Sequence, residues 1–318
     1  MGENHSDILV IGAGMAGLTC ATQLAETGRD VRVLDKGRGP GGRMAARRAE
    51  VAGEINGFDH GAQYFTARDE GFREAVAQWV EQGVVAKWGA AGDDAWVGAP
   101  GMNGPIRAMA DAVTVHWGVR AESIARDGQK WVAETDDAQF TADTLIVAVP
   151  AEQAQVLLAD AAPDLASIAG SVDSEPCWAV MAGFAAPLAI GEDAIRSENG
   201  AISWAARNSA KPARKGVENW VIHASPARSR EIIDRPKEEA ATLLLDDFFA
   251  QTGAAAVEPI HLVAHRWLYA MPAAASGDPA RFDAEARIGI AGDYLHSPRV
   301  EGAWISGSTL AKRVLASS

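Results

Sequence analysis

The chain has 318 residues, of which 48% are hydrophobic and 22% charged, so it can bury a large core and form more than one domain. The 29 lysines and arginines against 42 aspartates and glutamates give a formal net charge of -13, which disfavours non-specific binding to nucleic acid or to anionic lipid. No apolar run reaches the roughly 18 residues that span a bilayer, and residues 1–6 lack a basic end and an apolar stretch, so we expect a soluble protein of the cytoplasm.

The first predicted unit is a strand, a tight turn and a helix. Residues 8–11 are an apolar run and residues 18–25 read as a helix, and a G-x-G-x-x-G joins them. The first glycine permits the turn, the second lets a pyrophosphate approach the backbone, and the third lets helix and strand pack closely. Free N–H groups at the helix start would bind the phosphates. The predicted cofactor contacts here are Gly12, Gly14, Met15, Ala16 and Gly17.

A second predicted strand, residues 31–34, ends in Asp35. A carboxylate in this place accepts hydrogen bonds from the ribose hydroxyls of an adenosine and repels a 2′-phosphate, which argues against NADP as the ligand of this site. The spacing leaves NAD and FAD open.

A polar, glycine-rich loop follows, and it closes with the triplet G-G-R at residues 41–43. NAD enzymes seldom need such a loop here. In this segment the sequence resembles the FAD-dependent amine oxidase superfamily, in which the G-G-R lies along the pyrophosphate and the ribityl chain. The resemblance implies FAD as the cofactor, with Lys36, Gly42 and Arg43 among its contacts.

Residues 57–65 mix polar and aromatic side chains without a period of two or 3.6, so they differ from ordinary core. They are similar to the D-x-G-A-Q-Y-[FI] of the renalase-like branch of the superfamily, which passes beside the flavin. A structural histidine and a buried tyrosine are the alternative at His60 and Tyr64. The residues that the resemblance implies beside the flavin are Gly61, Ala62 and Gln63 as cofactor contacts, with His60 and Tyr64 lining the flavin face.

In the middle of the chain, the sequence pattern predicts a strand that rejoins the first sheet, followed by the strands of a second sheet. Residues 144–150 form a wholly apolar strand, as expected in a parallel sheet. The strand-like segments 177–184, 201–206 and 219–224 have hairpin spacings and predict a mixed sheet on the substrate side.

Residues 262–272 have a renalase-like counterpart and place a histidine, an arginine and two aromatics on one strand. Such side chains need either burial with partners or a ligand. Trp267 is a candidate for lining the flavin face.

The last predicted unit is a strand that ends in G-D, followed by a terminal helix. In FAD proteins of this kind the aspartate binds a ribityl hydroxyl, and the helix start faces the pyrimidine end of the flavin. The implied cofactor contacts are Gly292, Asp293, Gly302 and Ala303.

Together these segments predict an α/β fold: a discontinuous Rossmann-type FAD-binding domain with a parallel sheet, and a second α+β substrate domain on a mixed or antiparallel sheet. We assign residues 1–65, 98–150 and 266–318 to the FAD-binding domain, and residues 66–97 and 151–265 to the substrate domain.

The matching segments run through the whole chain and resemble bacterial renalase-like flavoproteins. The resemblance implies an oxidase that takes a hydride from 2- or 6-dihydro isomers of NAD(P)H and reduces O2 to hydrogen peroxide. The phosphates of such a substrate need cations, for which Arg207 and Arg266 are the first candidates and Arg68 and Arg228 the next. Two alternatives stay open: an amine oxidase or desaturase of the same superfamily, and a flavin-binding structural or redox-sensing protein without turnover.

Cysteine and lysine positions bear on the chemistry. Cys20 and Cys177 have neither the spacing of a disulfide framework nor that of a zinc site. Some amine oxidases attach FAD through a cysteine near the C-terminus, but no cysteine follows Cys177, so we expect non-covalent FAD. Many amine oxidases use a lysine that holds a water near the flavin, yet no lysine lies in residues 177–184 or beside His265. This favours a hydride donor that needs no activated water.

Overall fold

The structure is a computed structural model that describes residues 4–273 and 277–317. Its strands are β1 (His5–Ile11), β2 (Val31–Asp35), β3 (Arg47–Val51), β4 (Glu54–Phe58), β5 (Val85–Lys87), β6 (Trp96–Gly98), β7 (Thr114–Trp117), β8 (Ser123–Asp127), β9 (Lys130–Glu134), β10 (Gln139–Val147), β11 (Ser174–Phe184), β12 (Ala194–Arg196), β13 (Ile202–Arg207), β14 (Glu218–Ala224), β15 (His261–Pro272), β16 (Ala280–Asp283) and β17 (Ile288–Ala291). Its α-helices are α1 (Met15–Ala25), α2 (Glu70–Glu81), α3 (Gly104–Ala110), α4 (Ala151–Leu158), α5 (Pro163–Gly170), α6 (Pro226–Glu231), α7 (Lys237–Thr252) and α8 (Val300–Ala316).

The first sheet has the order β16-β17-β10-β1-β2-β7, with β9 and β8 added beside β10. β17, β10, β1, β2 and β7 run parallel, whereas β16 and β9 pair antiparallel with their neighbours. The central strands are continuously apolar because both faces of the sheet are covered. α1 and α8 belong to the core on one face, and α4 and α5 belong to the core on the other.

The second sheet is antiparallel, with the order β12-β13-β14-β11-β15. One face packs on α7 through large side chains such as Trp178, Trp220 and Phe248. The other face looks toward the first sheet, where Met181 and Val221 pack against Val51 and Phe58 of the β3-β4 hairpin. Because side chains alternate along a strand, each residue of this sheet belongs to one of these two faces.

One row of directly paired residues crosses the whole second sheet on the face toward the first sheet. It consists of His265, Ala179, His223, Trp204 and Arg196, on β15, β11, β14, β13 and β12 in turn. We call it the cross-sheet row. Since directly opposite residues share a face, the row brings polar and aromatic side chains from distant parts of the chain to the same side.

The pairing of β11 with β15 is interrupted at Pro176. Glu175 lies opposite Met271, but Cys177 lies opposite Trp267, so β15 contains extra residues at this point. Proline has no N–H for the ladder, and a bulge of this kind bends the strand. At this bend the carbonyl of Ala270 lies 3.5 Å from Nη1 of Arg43, a residue of the loop that follows β2.

The predicted fold class is confirmed, with a parallel Rossmann-type sheet and a second antiparallel sheet. The domain limits stay a prediction, and one of them does not coincide with a division between the sheets: residue 266 lies inside β15, a strand of the second sheet. Within the described residues, none of the helices is both long and apolar enough to cross a membrane.

Candidate functional site

The three glycines of the first turn are required for two different reasons. Gly12 has φ +108°, and a Cβ there would lie 2.5 Å from the carbonyl oxygen of Ala148. A Cβ on Gly17 would overlap the carbonyl oxygen of Gly12. A Cβ on Gly14 meets no protein atom within 4 Å, so the space above this glycine is open. The first and third glycines therefore serve packing, and the second leaves room for a ligand.

The start of α1 fits an anion. No side chain caps the helix, and its first turn contains no acidic residue. The N–H groups of that turn, at Met15, Ala16 and Gly17, are thus available to a pyrophosphate. Asp35 lies beside the turn and accepts hydrogen bonds of 2.7 Å from the backbone of Ala13 and Gly37.

The G-G-R loop lies against the glycine turn. Gly42 has φ +51°, and a Cβ there would be 3.6 Å from the Cα of Gly14. Arg43 forms a bidentate ion pair with Asp293, with Nη2–Oδ1 at 2.5 Å and Nη1–Oδ2 at 3.0 Å. This pair joins segments that are 250 residues apart in the sequence. Lys36 instead donates to Oε1 of Gln153 at 2.8 Å, and its contact with a cofactor stays a prediction.

The segment after β4 docks on the same loop without space for a side chain at Gly61. A Cβ there would overlap the carbonyl oxygen of Arg43, and the N–H of Ala62 donates to that oxygen at 2.8 Å. At the start of α8, a Cβ on Gly302 would overlap the backbone of Ser297. Ala303 follows in the same turn, which no side chain caps.

These segments form a cradle that fits FAD. An uncapped helix start suits the pyrophosphate, and the carboxylate at the end of β2 suits the adenosine ribose. Both oxygens of Asp293 are paired with Arg43, and its contact with a ribityl hydroxyl stays a prediction. The open space at Gly14 supports this fit. A Cβ at this position would contact no protein atom within 4 Å, so the space is available to the pyrophosphate.

A cluster of aromatic rings stands beside this cradle. The ring of His60 stacks on Trp267 with a centroid distance of 5.3 Å, and His265 meets His60 edge-on at 4.9 Å. Nε1 of Trp267 donates to the carbonyl of His60 at 2.9 Å. Burial lowers the pKa of His60 to about 4, and His265 and Arg47 add to this effect while Asp59 opposes it. His60 is therefore neutral at neutral pH, and its buried Nδ1 has no partner among the described residues.

Behind His60 lies a buried charge network made of Asp59, Lys211, Arg214 and Gln63. Oδ2 of Asp59 accepts from Nζ of Lys211 at 3.2 Å and from Nη2 of Arg214 at 2.5 Å. Lys211 also donates to Oε1 of Gln63 at 3.1 Å. The side chain of Lys211 is completely buried, and burial lowers its pKa to about 8 against the opposing effect of Asp59.

Gln63 links this network to the cross-sheet row. Its Nε2 donates to the carbonyl of Gly61 at 2.9 Å and lies 3.4 Å from Nε2 of His223. Burial, and then the charge of Lys211, lower the pKa of His223 to about 4. Both amide atoms of Gln63 thus have protein partners, so its side chain holds the segment in place; a direct cofactor contact stays a prediction.

Family models match most of the chain. The NAD(P)-binding Rossmann-like domain matches residues 10–82, and the flavin containing amine oxidoreductase family matches residues 88–315. The chain belongs to the flavin containing amine oxidoreductase family. It is therefore an FAD-dependent oxidoreductase, and the predicted enzyme class is confirmed.

Solved structures with the same fold include two oxidases. A "Putative protoporphyrinogen oxidase" from Exiguobacterium sp. 255-15 is similar over 100% of both chains, with a TM-score of 0.72 and 12% identity. A wild-type putrescine oxidase bound to putrescine has a TM-score of 0.67 and 13% identity, over 98% of this chain and 99% of that one. At such identities the likeness shows the fold alone.

The structure places the candidate substrate arginines away from the cradle. Arg266 lies opposite Trp178, on the face toward α7, and donates to the carbonyl of Ile233 at 2.6 Å. Arg207 lies opposite Trp220 on the same face, paired with Asp193 and Glu218. Strand alternation thus argues against substrate contact for both.

The second-choice arginines also lie outside the aromatic cluster. Arg228 forms ion pairs with Asp247 and Glu231 near α7. Arg68 is exposed, and its backbone N–H donates to Oε1 of Glu301 at 2.5 Å, which ties the start of α8 to the segment before α2.

Tyr64 has different neighbours from His60. Its ring stacks on Trp204 with a centroid distance of 5.2 Å, and the guanidinium of Arg196 lies over both rings, at 4.9 Å and 5.0 Å. We call these three residues the Arg196 stack. Tyr64 therefore lines the space beside β12 and β13 rather than the His60 cluster.

The structure brings further side chains around the candidate site that the sequence pattern did not indicate: Lys211, Arg214, His223, Trp204 and Arg196. Lys211 and Arg214 follow β13 in a loop without any period, so no pattern marked them. Lys211 reaches Gln63 from this loop, so the lack of a lysine in residues 177–184 and beside His265 does not leave this region without one.

Proposed function

We propose that this enzyme is a renalase-like oxidase that acts on the 2- or 6-dihydro isomers of NAD(P)H. One dihydronicotinamide, one O2 and one proton give the oxidised dinucleotide and one hydrogen peroxide. Bound FAD would supply the two-electron acceptor and pass the electrons to O2.

The observation that carries this proposal is the charge balance behind His60. One carboxylate, Asp59, faces two cations, Lys211 and Arg214, and all three are buried. Since the pKa of Lys211 is lowered only to about 8, the network keeps an excess positive charge at neutral pH. An excess of this sign attracts an anionic dinucleotide and repels a protonated amine.

The weak basicity of the histidines supports the same class of donor. With pKa values lowered to about 4, His60 and His223 are poor general bases at neutral pH. A dihydropyridine becomes an aromatic pyridinium when it loses a hydride, so no proton has to be removed from it. The chain needs only to hold the donor ring flat beside the cradle, and the stacked rings of His60 and Trp267 are suited to that task.

An amine oxidase or a desaturase is the second candidate. The family match and the buried Lys211 favour it, because an amine oxidase can use a lysine near the flavin. The third interpretation, a flavin-binding protein without turnover, is set aside by membership of an oxidoreductase family.

Anaerobic mixing tests the proposal directly. The purified holoenzyme is mixed with 2-, 4- or 6-dihydro-NAD or with a panel of amines, and flavin absorbance is followed at about 450 nm. We expect rapid bleaching by the 2- or 6-isomer and one peroxide per dinucleotide once air is admitted. Bleaching by amines with ammonia release, and none by the isomers, would contradict the proposal and favour the amine oxidase.

A further inference from the structure

We propose that Arg196 binds the phosphate groups of a nicotinamide dinucleotide, an assignment that rests on the proposed function. The ligand class is a dinucleotide whose nicotinamide lies near His60 and whose phosphates extend along the second sheet toward β12.

The position of Arg196 in the cross-sheet row supports this assignment. It pairs with Trp204 at one end of the row, and His265, which touches His60, lies at the other. Four strand spacings separate the two ends, on the order of 19 Å. The gap for the ligand is shorter than the row, because the guanidinium of Arg196 lies over Trp204, whose partner His223 is 3.4 Å from Gln63. In a dinucleotide the phosphates follow directly on the nicotinamide ribose, where a nicotinamide riboside has none.

The guanidinium of Arg196 is held in place and still has donors to offer. Its position over Tyr64 and Trp204 fixes the plane of the group. Nη2 donates to the carbonyl of Ala91 at 3.0 Å, and no carboxylate pairs with Arg196 among the described residues. The side chain is exposed, so its remaining N–H groups are open to a ligand, in the planar arrangement that suits phosphate.

Other arginines in or beside the second sheet lack this combination. Arg207 and Arg228 are held by carboxylates, and Arg266 lies on the face toward α7. In a chain with a net charge of -13, an anionic ligand needs a local cation, and Arg196 is the one that the cross-sheet row supplies.

The test compares ligands with and without phosphate on the holoenzyme. Titration calorimetry measures the affinity for NAD⁺ and for nicotinamide riboside, in the wild type and in Arg196→Gln and Arg196→Lys. Arg235→Gln is the matched control, because it removes one positive charge from a surface pair with Glu239, on the far side of the sheet.

We expect NAD⁺ to bind the wild type more tightly than the riboside does. Arg196→Gln should weaken NAD⁺ by about tenfold or more, the effect of losing a charge-assisted hydrogen bond, and leave the riboside within about twofold. Arg196→Lys should recover part of the affinity, and Arg235→Gln should match the wild type. Three results would overturn the assignment. The wild type could bind NAD⁺ and the riboside equally well, it could bind neither, or Arg196→Gln could weaken both ligands equally.

Turnover measurements distinguish failure of the Arg196 assignment from failure of the proposed function. If the dihydronicotinamide isomers bleach the wild type but Arg196→Gln keeps the same KM for them, Arg196 is wrong and the oxidase proposal survives. If no isomer bleaches the flavin but NAD⁺ shows the expected loss of affinity in Arg196→Gln, the phosphate site is upheld and the oxidase proposal fails.

Discussion

At the scale of single residues, the ring of His60 is buried, and its Nδ1 has no hydrogen-bond partner among the described residues. Its folded-state pKa is lowered to about 4, below the value of about 6.5 in an unfolded chain. Between these two values the unfolded chain binds a proton that the folded chain does not. The stability that neutral His60 contributes is therefore present above about pH 6.5 and is lost as the pH falls toward 4.

We predict that His60→Phe, which keeps a ring against Trp267, makes the free energy of unfolding less sensitive to acid in this window. The slope should decrease by up to about 1.4 kcal/mol per pH unit. Urea unfolding of both proteins at several pH values between about 4 and 7 measures it. Parallel curves for wild type and variant would show that His60 titrates normally.

Cys177 lies directly opposite Trp267 on the neighbouring strand of the second sheet. Burial raises the pKa of its thiol to about 12, and the thiol is much less nucleophilic than the thiolate. We predict that all of the FAD is released when the protein is denatured with acid, and that Cys177→Ser binds FAD as the wild type does. Flavin fluorescence that stays with the denatured chain on a gel would refute non-covalent binding.

At the scale of secondary structure elements, the turn between β1 and α1 contains glycines with opposite functions. We predict that Gly14→Ala folds normally but binds FAD at least about tenfold more weakly, because its methyl group fills the space for the pyrophosphate. Gly17→Ala should lose about 1–3 kcal/mol of stability, because its Cβ overlaps the backbone of Gly12.

Denaturation of the two apoproteins and FAD titration distinguish these effects, and each variant is the control for the other. Similar stabilities for both variants would show that the distinction between packing and ligand space is incorrect.

The sequence predicted the elements that have local signals and failed where the answer depends on the sheet. The glycine turn, Asp35 and the last strand were found because each local pattern has a physical reason. Arg266 and Trp267 were both proposed for the site, although neighbours on one strand point to opposite faces. The sequence does not show which face meets the cofactor, since that depends on where β15 pairs with β11.

At the scale of the whole molecule, the Arg43–Asp293 pair closes the cradle between two distant segments. We predict that Asp293→Ala yields protein without flavin, and that adding FAD no longer raises its Tm. Asp278→Ala is the control, because it removes a carboxylate paired with Arg313 outside the cradle. Absorbance spectra and thermal denaturation with and without FAD give the result; stoichiometric flavin in Asp293→Ala would refute the site.

The overall architecture could be read from the chain because residues 8–11 and 144–147 are apolar runs typical of a parallel sheet, and the strands of the second sheet have hairpin spacings. The charge network could not, because Asp59 and Lys211 lie 152 residues apart and meet only through tertiary folding. Electrostatic properties of the site are thus a product of the assembled molecule.

The pairing of Arg43 with Asp293 also has a consequence for biosynthesis. A growing chain can form the glycine turn early, but the carboxylate that pairs with Arg43 is synthesised 250 residues after it. Loading of flavin is therefore a late event during translation, and a chain that stops before Asp293 forms part of a Rossmann sheet without a complete cofactor site. Colour in expressing cells would then report chains that extend beyond Asp293 and ignore those that stop before it.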